Sequence, residues 1–171
     1  MKKIVLSMGI IAAITICAFG QKTAAKVDPA KGVRVAFDRL VEGIEQVDAA
    51  KVMSVYEKGN RILFFNNNGS ATIGWENMKN NRESLYEKTK NVNLEVTGLR
   101  VEMLGRHAAY VTCKWKQSQE FEGKLENASG RMTLIFRLIG KEWKVVHLHT
   151  SPDNPPATRP VLESEREKPA G

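Results

Sequence analysis

The chain has few cysteines and few aromatic residues, and no part of its composition is extreme. Two cysteines among 171 residues, Cys17 and Cys113, cannot form a disulfide framework, which excludes the disulfide-dense secreted scaffolds. With 42% hydrophobic, 26% charged and 7% aromatic residues, the chain is neither collagen-like nor wholly disordered. It also lacks a glycine-rich phosphate loop and an arginine-rich run, so we expect no nucleic-acid partner. The length allows one domain with short extensions.

The first twenty residues have the pattern of a secretory signal peptide. Lys2 and Lys3 precede an apolar run of about sixteen residues, shorter than the roughly 20 residues of a membrane span. Ala18-Phe19-Gly20 offers small residues for cleavage before Gln21. We therefore predict a secreted or periplasmic protein with no membrane span after cleavage. A retained anchor is one alternative; a lipoprotein at Cys17 is another, although Ile16 occupies a position that needs a small residue.

Beyond the signal, the sequence divides into an extension (21–30), a folded domain (31–151) and a tail (152–171). The tail holds five of the six prolines and no aromatic residue, so we expect it to be disordered. Loss of Lys2 and Lys3 lowers the net charge from +7 to +5. Cys113 is then the only cysteine, and its apolar neighbours Val111 and Trp115 indicate a buried strand position.

Apolar periodicity predicts three helices and then a sheet. Asp48 is a suitable N-cap for the second helix, and the segment Asn66-Asn67-Asn68-Gly69 predicts a tight turn between two short strands. Beyond Asn91 the period becomes two, and its parity changes at Thr97-Gly98, as a β-bulge requires. The polar stretch 116–130 indicates a solvated hairpin. We expect an α+β fold with a strongly curved antiparallel sheet.

Three segments make the chain resemble the SnoaL-like, or nuclear transport factor 2-like, superfamily over about Val33 to Ser151. They are 47–56 in the second helix, Ile73-Gly74-Trp75 at the start of the third, and the pattern W-x-x-V-H-x-H-x-S over 143–151. The last segment is most similar to the branch containing the association domain of calcium/calmodulin-dependent kinases. The resemblance implies a cone-shaped, cystatin-like α+β roll.

The resemblance also permits a test for ketosteroid isomerase chemistry, which needs a carboxylate base and oxyanion donors. The position of the family's base falls in the turn 66–69, where this chain has amides and glycine. The first helix has Phe37 and Leu40 but no donor tyrosine, and residues 129–140 contain no carboxylate. Because each chemical role lacks its residue type, isomerisation of this kind is not expected.

His147 and His149 are the remaining candidates for catalysis, and they share one face of the last strand. Trp143 and Val145 have the same parity and are expected on that face. Three interpretations stay open. The histidines brace the sheet or a dimer contact, they line a ligand pocket, or they serve as a metal site or general base. Zinc needs three or four ligands and His107, near a turn, is the only other histidine, so no metal site is predicted.

A ligand pocket in the cone is predicted from aromatic and basic side chains. Its candidate residues are Tyr56, Trp75, Trp115, Arg131, Arg137, His147 and His149. The aromatic residues have core packing as their alternative role. The ligand is expected to be small and polar or anionic, and no cofactor is predicted.

The sequence as a whole predicts a non-catalytic small-molecule-binding or assembly module that forms a homodimer through the outer face of the sheet. The alternative is a SnoaL-like isomerase, cyclase, dehydratase or hydrolase that uses His147, His149 and an arginine in the cone cavity.

Overall fold

The computed structural model describes residues 28–154 and shows three helices and a six-stranded sheet. The helices are α1 (Lys31–Glu45), α2 (Ala49–Ser54) and α3 (Trp75–Tyr86). The strands are β1 (Leu63–Phe65), β2 (Ala71–Ile73), β3 (Thr89–Met103), β4 (Ala108–Phe121), β5 (Lys124–Ile139) and β6 (Glu142–Pro152). The predicted signal peptide and most of the predicted extension and tail lie outside the described residues.

The strands follow the order β2-β1-β6-β5-β4-β3 across the sheet. Neighbouring strands are antiparallel, as predicted, except that β1 and β6 run parallel. Each consecutive pair of strands from β3 to β6 forms a hairpin. In contrast, β1 is distant in sequence from its parallel partner β6. None of the described helices has the length and apolar character needed to cross a membrane.

The helices cover one side of the sheet, which we name the inner face; the opposite side is the outer face. Val33, Phe37 and Leu40 form the buried stripe of α1. Asp48 caps α2 as predicted, because its Oδ1 accepts a hydrogen bond from the Lys51 backbone N–H at 2.8 Å. The inner-face side chains buried in the common core are Phe64, Ala109, Val111, Cys113, Leu134, Phe136, Val145 and Leu148.

A bulge bends β3 where the parity of the sequence changes. The pairing of β3 with β4 shifts between Thr97 and Arg100, and Gly98 takes a φ of +63°. This confirms the predicted bulge at Thr97-Gly98. The polar stretch 116–130 is a hairpin in which β4 and β5 remain paired as far as Phe121 and Lys124.

A second register shift, in β6, corrects the predicted face of two residues. Ile135 of β5 pairs with His147, whereas the next residue, Phe136, pairs with Val145. Val146 is therefore an extra residue in β6, and a single extra residue reverses the alternation of side chains. Val145 is fully buried on the inner face, so Trp143 and Val145 do not share a face with His147 and His149 as the sequence parity had predicted.

Candidate functional site

A cavity of about 580 Å³ lies between α3, the β1–β2 turn and the inner face of β4 and β5. Its volume is within the usual range for small-molecule pockets. Its lining consists of apolar, amide and hydroxyl side chains with one cation. The lining residues are Asn66, Asn67, Asn68, Ser70, Thr72, Met78, Asn81, Arg82, Leu85, Trp115, Gln117, Gln119 and Ala128.

Hydrogen bonds hold several of the lining side chains in place. Asn66 Nδ2 donates to Ser70 Oγ at 3.0 Å and to Thr72 Oγ1 at 3.1 Å, which braces the β1–β2 turn. On β4, Gln117 Nε2 donates to Gln119 Oε1 at 2.7 Å. The wall of the cavity is thus ordered by its own contacts, as a preformed binding site requires.

Of the three buried side-chain polar atoms that have no hydrogen-bond partner within residues 28–154, one is the hydroxyl of Tyr86 and two belong to residues that line the cavity. The latter two are Oδ1 of Asn67, an acceptor, and Nε1 of Trp115, a donor. Trp115 is only 8% exposed, so bulk water does not satisfy its indole N–H. A buried polar group without a partner costs about 1–3 kcal/mol.

Arg82 is the only charged residue among those that line the cavity. It is half-buried, and its guanidinium carbon lies 5.3 Å from the ring centroid of Tyr86, within range of a cation–π contact. Burial raises the pKa of Tyr86, and the positive charge of Arg82 opposes that rise.

The lining contains no carboxylate, imidazole or thiol, the side chains that most often move protons in enzymes. Burial raises the pKa of two core groups, Tyr56 to about 12 and Cys113 to about 11, which keeps both protonated at neutral pH. Over the described residues no three His, Cys, Asp or Glu side chains are grouped to hold a metal ion. The lining therefore offers apolar contact, hydrogen-bonding groups and one cation.

The aromatic residues predicted for the pocket are divided among three environments. Trp115 lines the cavity. Tyr56 is buried in the core, where its ring meets Phe64 edge-on at 5.0 Å between centroids. Trp75 lines a separate cleft of about 510 Å³ at the start of α3, and its Nε1 donates to the Met53 carbonyl at 3.2 Å.

The predicted basic residues lie on the outer face, away from the cavity. His147 pairs with Leu63 and Ile135, while His149 pairs with Phe65 and Thr133. Both imidazoles contact the Phe65 ring, with centroids 5.8 and 5.6 Å apart.

The two arginines lie on β5, also on the outer face. Arg131 is exposed and donates to the Pro152 carbonyl at 3.3 Å, and Arg137 is exposed opposite Lys144. The structure therefore does not bring Trp115 together with the histidines and arginines.

Sequence reasoning missed Asn67, Arg82 and the two glutamines of β4 as lining residues. A signal for Arg82 was present. Met78, Arg82 and Leu85 are spaced as i, i+4 and i+7 in α3, so the arginine interrupts the stripe that faces the protein interior. A cation in that position indicates either a buried ion pair or an anion site.

Comparisons with known proteins agree with this fold. A family model described as the SnoaL-like domain matches residues 33–155. No curated protein matches the chain. A nuclear transport factor 2-like superfamily protein from Salmonella enterica has a TM-score of 0.68 and 16% identity, covering 76% of this chain and 94% of that one.

Two further solved structures are similar. A protein from Streptomyces avermitilis, described as a proposed dehydratase of the nuclear transport factor 2-like family, has a TM-score of 0.66 and 18% identity, covering 74% of this chain and 96% of that one. A proposed calcium/calmodulin-dependent protein kinase II association domain from Xanthomonas campestris has a TM-score of 0.61 and 17% identity, covering 72% and 86%. At these identities the likeness establishes the fold alone, and it confirms the predicted α+β roll.

Proposed function

Because the chain belongs to the SnoaL-like domain family, whose model matches residues 33–155, we propose that it binds a small organic molecule in the cavity beneath its sheet without catalysing a reaction. One observation carries the proposal. The cavity combines apolar side chains with amides, hydroxyls and one arginine, and it has no acid–base side chain in its lining. Such a lining stabilises a ligand but offers no group of its own to transfer a proton.

An enzyme is the rival proposal, because a protein of the same fold is described as a proposed dehydratase. The residues predicted for such an enzyme were His147, His149 and an arginine. His147 and His149 pair across the sheet with outer-face residues, so they do not face the cavity where a substrate would lie. This placement favours binding over acid–base catalysis by these side chains.

The binding proposal is tested with N-phenyl-1-naphthylamine, a neutral fluorescent probe. Saturable binding of one molecule per chain is expected. Ala128 lines the cavity, so Ala128→Phe is expected to weaken binding at least tenfold by filling the space. Ala50→Phe, the same change on the exposed surface of α2, is the matched control. Absence of saturable binding, or equal affinity in both variants, would overturn the proposal.

For assembly, we propose that two copies pair through their outer faces. One row across this face joins Tyr110, Ile135, His147, Leu63 and Ile73. Ile135 and Ile73 are 36% and 59% exposed in the single chain, and a second copy would cover them.

Sedimentation at tens of micromolar tests this dimer. The wild type is expected to be dimeric and Ile135→Asp monomeric. Val35→Asp, which changes an exposed side chain on α1, should leave the dimer intact. A monomeric wild type would contradict the proposal. We further propose, from the apolar segment after Lys2 and Lys3, that the protein is secreted or periplasmic.

A further inference from the structure

We propose that the molecule bound in the cavity is an organic monocarboxylate, with its carboxylate on Arg82 and its apolar, ring-bearing body against Met78, Leu85 and Trp115. This inference rests on the proposed binding function and specifies the ligand class. It depends on the charge, hydrogen-bonding capacity and shape of the cavity lining.

Within residues 28–154 no carboxylate neutralises the charge of Arg82. Arg82 makes no ion pair with any carboxylate in the part of the chain that the structure describes. The adjacent Glu83 is paired with Lys79 at 2.8 Å, and Asp48 accepts the capping hydrogen bond of α2. A half-buried guanidinium without a counter-ion attracts an anion, and its planar fork matches the two oxygens of a carboxylate.

A carboxylate that contacts the polar rim of the cavity, Glu126, does not reverse this preference. Glu126 lies near the turn that joins β4 to β5, where Gln119 Nε2 donates to its Oε2 at 3.1 Å. It is exposed to solvent and does not line the cavity. Water screens such a charge more effectively than it screens one inside the cavity.

The remaining lining explains why the anion should be organic. Met78, Leu85 and Trp115 supply apolar contact area, and about 580 Å³ is far more space than an inorganic anion fills. A molecule with a carboxylate at one end and a flat apolar body would use all of these features.

The test compares 2-naphthoate with 2-naphthamide, which has the same shape and no charge. Each compound displaces N-phenyl-1-naphthylamine from the full-length protein. In the wild type we expect 2-naphthoate to bind at least tenfold more tightly than 2-naphthamide, and acetate not to compete. Arg82→Gln is expected to remove this preference while leaving the affinity for 2-naphthamide within twofold. Arg100→Gln, which removes a cation from the outer face, is the control and should behave as the wild type.

Equal binding of the acid and the amide to the wild type would overturn the carboxylate assignment while the binding function stood. The same conclusion follows if Arg82→Gln weakens both compounds equally. If neither the fluorescent probe nor either compound binds, both proposals fall. Should Arg82→Gln not fold, Arg82→Lys retains the charge without the planar fork. It is then expected to keep the preference for the acid at a reduced ratio, and an unchanged ratio would refute bidentate recognition.

Discussion

Alkaline pH is expected to destabilise this protein through two buried acids, Tyr56 and Cys113. Burial raises the pKa of Tyr56 from 10.0 to about 12 and that of Cys113 from 9.0 to about 11. The unfolded chain exposes both groups and restores their ordinary values. Above pH 9 the unfolded state therefore releases protons that the folded state retains. Stability from these groups is fully present below pH 9 and is lost as the pH rises through the folded-state pKa values.

The size of the effect follows from the shifts. The pKa of each group rises by about two, which corresponds to about 3 kcal/mol. Tyr56 and Cys113 are only 3% and 6% exposed, so solvent screens this energy little. By pH 11 the two groups together cost about 3–4 kcal/mol, of which Cys113 supplies the larger part because it titrates first. That is a large fraction of the roughly 5–15 kcal/mol that stabilises a typical domain.

Urea denaturation followed by circular dichroism between pH 8 and pH 11 measures this loss. Tyr56→Phe should reduce the loss by about 1 kcal/mol and Cys113→Ala by about 2 kcal/mol, because each removes one shifted group. The packing cost of each substitution is independent of pH, and all other ionisable groups are shared by every variant, so neither affects the comparison. If the double variant loses as much stability over this range as the wild type, burial is not the origin of the alkaline sensitivity.

Two further predictions concern packing and processing. A Cβ at Gly130 would meet the Ser151 carbonyl and lie 3.2 Å from the Trp115 ring, so Gly130→Ala should cost about 1–3 kcal/mol in a thermal melt. Gly59→Ala, with no atom within 4 Å of the added carbon, is the control, and equal melting temperatures would contradict the close packing. The intact mass of the exported protein should correspond to a chain that begins at Gln21; a chain beginning at Met1, or a lipid on Cys17, would refute the proposed cleavage.

Much of the fold was predictable because its signals are local. The Asp48 cap depends on residues three apart, and the Asn66–Gly69 turn depends on the glycine that takes a φ of +83° at its end. The bulge at Thr97-Gly98 was visible because the apolar parity changes on either side of it. Each of these features can be predicted from neighbouring residues, given that one face of the strand or helix is buried.

The candidate site was predictable only in part, because its walls come from distant segments. Trp115 was predicted to line a pocket. Arg82 and Asn67 line the same cavity because the tertiary fold places α3 and the β1–β2 turn opposite β4. Nothing in the local pattern of 66–68 distinguishes a lining amide from a turn amide. The predicted pocket also combined residues from opposite faces, since it joined Trp115 to His147 and His149.

The amino-acid sequence by itself determined the order and type of the elements and the stripe of residues that forms the core. Periodicity and turn chemistry act over a few residues and are read without knowledge of the partners. Only the tertiary structure decided which face of the sheet each side chain of the last strand occupies. Val145 and His147 have the same parity in sequence, yet the extra residue Val146 places Val145 in the core and His147 on the outer face. A bulge in one strand is defined by its pairing with another, so the sequence of β6 alone does not contain it.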